Sequence, residues 1–119
     1  MTVAVVARDL MIATRISDAG ARTGVEVRRI DHPSQLVEIP EIDLVLVDWG
    51  AREADWADAL MAWTAGVRHA APARVVLFGP HTDLAAHAAA RAAGFAPMLA
   101  RSKLIAELPA LLVASGAPS

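Results

Sequence analysis

Asp48 closes the run Asp43-Leu-Val-Leu-Val-Asp48 and is followed by Trp49-Gly50. Apolar residues 44–47 between two aspartates read as a strand buried on both faces. A carboxylate at the C-terminal end of such a strand stands where open α/β sheets present their ligands. It can react only in suitable chemical company, and most other chemistries are absent from the chain. Cysteine is missing, so there is no thiolate nucleophile, disulfide framework or cysteine metal site. His32, His69 and His87 show no metal-type spacing with any acid, and no metal site is expected. His81 follows Gly79-Pro80 and reads as an exposed loop histidine rather than a ligand or proton shuttle beside Asp48. The turn Ala7-Arg-Asp-Leu-Met-Ile carries neither Gly-x-Gly-x-x-Gly nor Gly-Lys-Ser/Thr, which removes dinucleotide and P-loop sites. Its apolar residues also suit no flavin phosphate, and no Gly-x-Ser-x-Gly elbow exists. No cofactor is expected.

The elements that would position Asp48 alternate in type. Val3–Ala7 is a short β-branched run. Residues 9–23 place Leu10, Ile12, Ala13 and Ile16 on one side at helical spacing, with Gly24 as a C-terminal stop. Val25–Ile30 alternates as an outer strand with a partly exposed face. Residues 32–39 are Pro-bounded and predict one or two helical turns. Asp43–Asp48 is the central strand. Glu53–Ala70 is the longest helical block, with Asp55, Asp58 and Arg68 on its wet side and Leu60, Met61 and Val67 toward the sheet; Pro72 ends the connection. Arg74–Phe78 is a buried strand broken by Gly79-Pro80. Asp83 caps a helix over Leu84–Ala93 that Gly94 ends. Phe95–Ala100 is a weak last strand. Ser102–Ala114 is a final helix, in which Pro109 predicts a kink or a late start, and 115–119 a short frayed tail. Strands alternating with helices ask for a parallel α/β sheet covered on both faces.

Bulk properties agree. The chain of 119 residues is large enough for one full core, and its 55% apolar content argues against disorder. A single domain over 1–119 is expected, with no output module attached. A net charge of −2 suggests neither a nucleic-acid surface nor a membrane patch. No apolar stretch nears the ~20 residues of a spanning helix, and the N-terminus lacks the pattern of a signal peptide. A cytoplasmic location is expected.

Over nearly its full length the chain resembles the receiver domain of response regulators, which is similar to the chemotaxis receiver. The resemblance rests on element order and on three segments: Asp43-Leu-Val-Leu-Val-Asp48-Trp, Arg74-Val-Val-Leu-Phe-Gly-Pro-His81, and Ala93-Gly-Phe-Ala-Pro-Met98-Leu-Ala-Arg101. It implies a doubly wound, flavodoxin-like sheet of five parallel strands in the order 2-1-3-4-5. Asp48 then falls on the phospho-acceptor. Ala7 and Arg8 fall where receivers carry an acidic pair, Gly79 on their Thr or Ser, Arg101 on their Lys and Ser102 on the Pro after it. Met98 replaces the aromatic that reports the switch state. A slip of one residue could bring in Asp9 as an acid, and Lys103, two residues beyond Arg101, could supply the ammonium, but no single slip restores the set.

Phosphoryl transfer to a carboxylate is chiefly electrostatic and needs a metal and positioned donors. Magnesium is held by carboxylates, and Ala7 and Arg8 supply none. An arginine paired with Asp48, Arg8 in the first place or Arg101, would stand in crudely for the ion; pairing with Arg8 would depress the Asp48 pKa. Gly79 has no hydroxyl to follow a phosphoryl group.

Two surfaces could serve a partner. Trp49, Trp56 and Trp63 are spaced by sevens, which puts Trp56 and Trp63 on nearly one helix face; core packing is favoured over an aromatic docking surface. In the alanine-rich helix 84–93, Asp83, His87 and Arg91 form one polar stripe. In receivers this helix, the fifth strand and the fifth helix make the common docking or dimer face, here represented by His87, Arg91, Met98 and Lys103. The expected function is a stand-alone degenerate receiver-like module, not an enzyme, that docks a protein partner or a second copy through this face. The alternatives are an atypical phospho-switch using Asp9 and Asp48, and a sensor holding a small anion over Arg8 and Arg101.

Overall fold

The computed structural model describes residues 2–66 and 74–116. Five parallel strands, β1 (Thr2–Val6), β2 (Glu26–Ile30), β3 (Ile42–Asp48), β4 (Arg74–Gly79) and β5 (Leu99–Ala100), form one sheet in the order β2-β1-β3-β4-β5. This is the doubly wound order that the resemblance implies. The helices are α1 (Leu10–Thr23), α2 (Trp56–Gly66), α3 (Leu84–Ala92) and α4 (Arg101–Gly116), with 3-10 helices at Pro33–Glu38 and Trp49–Ala51.

Side-chain alternation along the central strands splits the core in two. Ala4, Val6, Val45, Val47 and Leu77 face the 33–38 turn, α2 and α3. Val3, Val5, Leu44, Leu46 and Phe78 face α1 and α4. β1 and β3 are buried on both faces, which explains their unbroken apolar runs. β2 lies at one edge and is largely exposed, as its alternation predicts.

Local signals set the boundaries. The Asp9 carboxylate accepts the Met11 N–H at 2.9 Å and starts α1, while Gly24 at φ 73° ends it in the left-handed region. Asp83 accepts the Ala86 N–H at 3.0 Å and starts α3. Gly94, at φ 81°, donates to the Arg91 carbonyl, and Phe95 donates to that of Ala90. This double closure consumes Phe95 in ending α3, so β5 is confined to two residues rather than the predicted 95–100.

Other expectations need correction. Leu10 is 61% exposed instead of joining Ile12, Ala13 and Ile16, and Met61 is 44% exposed instead of facing the sheet. α2 begins at Trp56 rather than Glu53, because 53–55 form the turn leading into it. α4 passes through Pro109 and takes in Ser115 and Gly116. The expected run of the 53–70 helix through Val67–Ala70, with Arg68 and His69, and Pro72 after it lie outside the described residues, as does 117–119. All three tryptophans are core: Trp49 and Trp56 are fully buried, and Trp63 nearly so. Among the described residues, no helix is long and apolar enough to cross a membrane.

Candidate functional site

Because the strands are parallel, β1, β3, β4 and β5 all deliver their C-terminal ends to one edge of the sheet. Ala7 follows β1, Asp48 ends β3, Gly79 ends β4, and Arg101 follows β5. Of the residues carried onto the receiver pattern, these four therefore gather at one place.

Asp48 is 1% exposed, the one charged residue among the buried side chains described. The Arg101 guanidinium reaches it: Nη2 donates to Oδ1 at 3.3 Å and lies 3.5 Å from Oδ2. Burial pushes the Asp48 carboxyl above its ordinary range. Arg101 opposes that shift by its charge and hydrogen bond, and nearby Asp9 adds slightly to it. The cost of desolvating the carboxylate thus outweighs the help of one partly exposed arginine. The pKa is raised, not depressed as an arginine pair alone would give.

Arg8 is not that arginine. Its Nη1 pairs with Glu53 Oε1 at 2.5 Å, and both side chains are about half exposed. Arg8 precedes the α1 cap and points along the surface toward the turn before α2, while Ala7, fully buried, lines the core. Lys103 is exposed, and Arg101 fills the cation position that a slip in register offered to it.

Gly79 explains more than a missing hydroxyl. A Cβ there would lie 2.9 Å from the Gly50 nitrogen, 2.9 Å from Met98 Sδ and 3.1 Å from the Gly50 Cα. A Cβ on Gly50 would in turn lie 2.6 Å from Pro80 Cδ. The loops after β3 and β4 close on each other through two glycines, with the Met98 sulfur packed on top. Trp49 pins the same loop to α3, its Nε1 donating to the Ala86 carbonyl at 2.9 Å. Met98, 5% exposed, belongs to this packing and not to an interaction face.

The magnesium implied by the receiver resemblance does not suit these residues. Asp9 is the second acid at this edge, and its Oδ1 is engaged as the α1 cap. The Arg101 guanidinium stands at the Asp48 oxygens. Neither departure leaves the carboxylate set that an octahedral ion requires.

The expected docking stripe is also partly used internally. Asp83 caps α3, and His87 Nε2 lies 3.0 Å from the His81 carbonyl. Arg91 and Lys103 are exposed, as is His81 itself. The sequence spacing missed one grouping. His32, Glu53 and Asp55 bring ligand-type atoms within 4.8 Å of one another. Yet His32 Nδ1 accepts the Ser34 N–H at 3.0 Å, which leaves the proton on Nε2, 2.9 Å from Asp55 Oδ2, while Glu53 holds Arg8. These groups satisfy each other. Nothing in the local spacing signals this, since residues 23 apart meet only through the fold.

No family model matches the chain, and no curated protein matches it. Solved structures do. A response regulator from Hahella chejuensis superposes with a TM-score of 0.75 at 15% identity, over 98% of this chain and 95% of that one. One from Thermotoga maritima gives 0.72 at 15% identity, over 96% and 95%. An orphan response regulator of H. pylori gives 0.68 at 15% identity, over 94% and 96%. The chain therefore folds as a receiver-like domain.

Proposed function

We propose that this receiver-like domain is a signalling module that docks protein partners constitutively and takes no magnesium-dependent phosphoryl group. The observation that carries this reading is the Asp48 environment. The carboxylate is 1% exposed and held by Arg101, at the strand end whose following loop meets the β4 loop through Gly50 and Gly79. In-line attack on a phosphodonor needs an accessible anion, a metal and space for the equatorial oxygens. Here the anion is covered, a guanidinium replaces the metal, and the space beside Gly79 is filled by Met98 and the Gly50 backbone.

Without a switch the module acts by its fixed shape. The docking face we assign is the surface of α3, β5 and α4, where exposed Leu84, Arg91 and Lys103 stand among alanines. A homodimer through this face is one form the docking takes. The role is non-enzymatic and the location cytoplasmic.

The test is incubation with acetyl phosphate and magnesium, followed by intact-mass spectrometry and by tryptophan fluorescence, to which Trp49 next to Asp48 is sensitive. The expected result is no added mass and no magnesium-dependent change. Acyl phosphate on Asp48 would overturn the proposal and favour the phospho-switch.

A further inference from the structure

α1 and α4 lie side by side on one face of the sheet, and a groove of about 430 Å³ opens between them at the Asp48 end. Its walls are apolar at Met11, Ile12 and Ile105 and cationic at Arg15 and Arg101. A smaller cavity of about 90 Å³ shares Arg15 and Ile105 and continues along the seam to Arg22 and Leu108. The volume of the groove falls in the range of small-molecule sites.

Three features single this seam out. First, three arginines line it, against one acid: Asp9, already bonded to the Met11 N–H. Second, Arg15 and Arg22 have no carboxylate partner among the described residues, and Arg101 uses only Nη2 on Asp48. The remaining guanidinium donors are free to meet an anion. Third, the groove wall carries uncovered apolar surface, with Met11 80% exposed. In a chain with net charge −2, a cationic seam floored by aliphatic side chains is a local inversion of the overall charge.

We propose that the α1–α4 groove binds a small amphiphilic anion, a carboxylate with an aliphatic body. Its head lies between Arg15 and Arg101, and its body runs along Ile12 and Ile105 toward Leu108. This goes beyond the docking role and replaces Arg8, which faces Glu53, by Arg15 as the second cation of an anion site. Occupancy also reaches Asp48, because the head competes with that carboxylate for the Arg101 guanidinium.

The experiment titrates the 15N-labelled protein with octanoate, with octan-1-ol and with inorganic phosphate, reading amide shifts. Saturable shifts for octanoate are expected at residues 11–15 and 101–105. Affinity for octan-1-ol falls about tenfold or more, the worth of a charge-assisted hydrogen bond. Inorganic phosphate, which has no aliphatic body, produces no saturable shift. Arg15→Gln, on an exposed side chain whose loss spares the fold, weakens octanoate by a similar factor; Ile105→Glu, which puts an acid in the seam, abolishes it. The proposal is overturned by octan-1-ol binding as tightly as octanoate, by phosphate binding as tightly as octanoate, or by octanoate shifts that do not saturate or that lie elsewhere. None of these results alters whether Asp48 takes a phosphoryl group, so the two proposals fail separately.

Discussion

Restoring the hydroxyl that receivers carry after their fourth strand is the sharpest perturbation of this site, and Gly79→Thr is expected to destabilise the protein. The backbone is not the obstacle, because Gly79 is not among the residues with positive φ. The obstacle is space. A Cβ at Gly79 meets two Gly50 backbone atoms at 2.9 and 3.1 Å and Met98 Sδ at 2.9 Å. The sulfur can move, though Met98 is itself buried. The Gly50 backbone cannot move freely: it lies in the 49–51 turn, tied down by the Trp49 indole bond to α3 and packed against Pro80. Overpacking of this kind costs about 1–3 kcal/mol. Replacing glycine at a compatible φ returns about 0.4–1 kcal/mol through the unfolded chain. The net loss is about 1 kcal/mol for Gly79→Ala and about 2 kcal/mol for Gly79→Thr, whose two further atoms must enter the same space.

Urea unfolding followed by tryptophan fluorescence reads this directly, since all three indoles are buried. In a Met98→Ala background one of the three clashes disappears. The Gly79→Ala cost should then shrink by a few tenths of a kcal/mol but persist, because the Gly50 contacts remain. A Gly79→Thr protein as stable as the parent would show that the loops have room, and would refute the closed-loop account of this edge of the sheet.

Four more outcomes are expected. Asp48 binds its proton at higher pH in the folded chain than in the unfolded one, so this residue lowers stability as pH rises through the folded value and contributes nothing unfavourable below the unfolded value, near 4. Asp48→Asn, which keeps an acceptor for Arg101, should therefore be more stable than the parent at pH 7 and lose that advantage toward pH 4; a stability loss at pH 7 would contradict it. Arg101→Ala leaves the buried carboxylate without its cation and should cost about 1–2 kcal/mol at pH 7, less than a fully buried pair because the guanidinium is 44% exposed, and most of the loss should vanish beside Asp48→Asn. Arg8→Ala breaks only an exposed pair with Glu53 and should change stability by less than about 0.5 kcal/mol in the same urea assay. Trp56 Nε1 is buried with no hydrogen-bond partner, whereas Trp49 Nε1 has one, so Trp49→Phe should cost about 1 kcal/mol more than Trp56→Phe.

The parts of the fold legible in sequence are those set by local rules. Unbroken apolar runs marked β1 and β3, Asp83 and Gly24 marked helix ends, and the seven-residue spacing of Trp56 and Trp63 marked a shared buried face. Long-range choices were not legible. Whether Arg8 or Arg101 reaches Asp48 depends on the direction in which each leaves its strand end. Arg8 lies one residue before a cap that turns the chain outward, and Glu53, distant in sequence, stands ready to receive it. The shortening of β5 was hidden for a different reason. Phe95 suits a strand by type, but the closure that Gly94 imposes on α3 claims its N–H first.

The departures from the receiver pattern are coupled. Glycine at 79 lets the Gly50 turn and the Met98 sulfur approach the end of β4, and Asp48, two residues before Gly50, is 1% exposed. A carboxylate so buried needs a cation, and Arg101, entering from β5 at the first residue of α4, supplies it without a metal. With the guanidinium there, acids at positions 7 and 8 are not needed to anchor an ion, and a methyl group can fill the core at Ala7 while Arg8 turns to Glu53. Each change removes the physical reason for one of the others to be reversed. Reverting positions singly therefore meets a clash at 79 or an acid facing hydrocarbon at 7, so restoring the receiver pattern requires the set to change together.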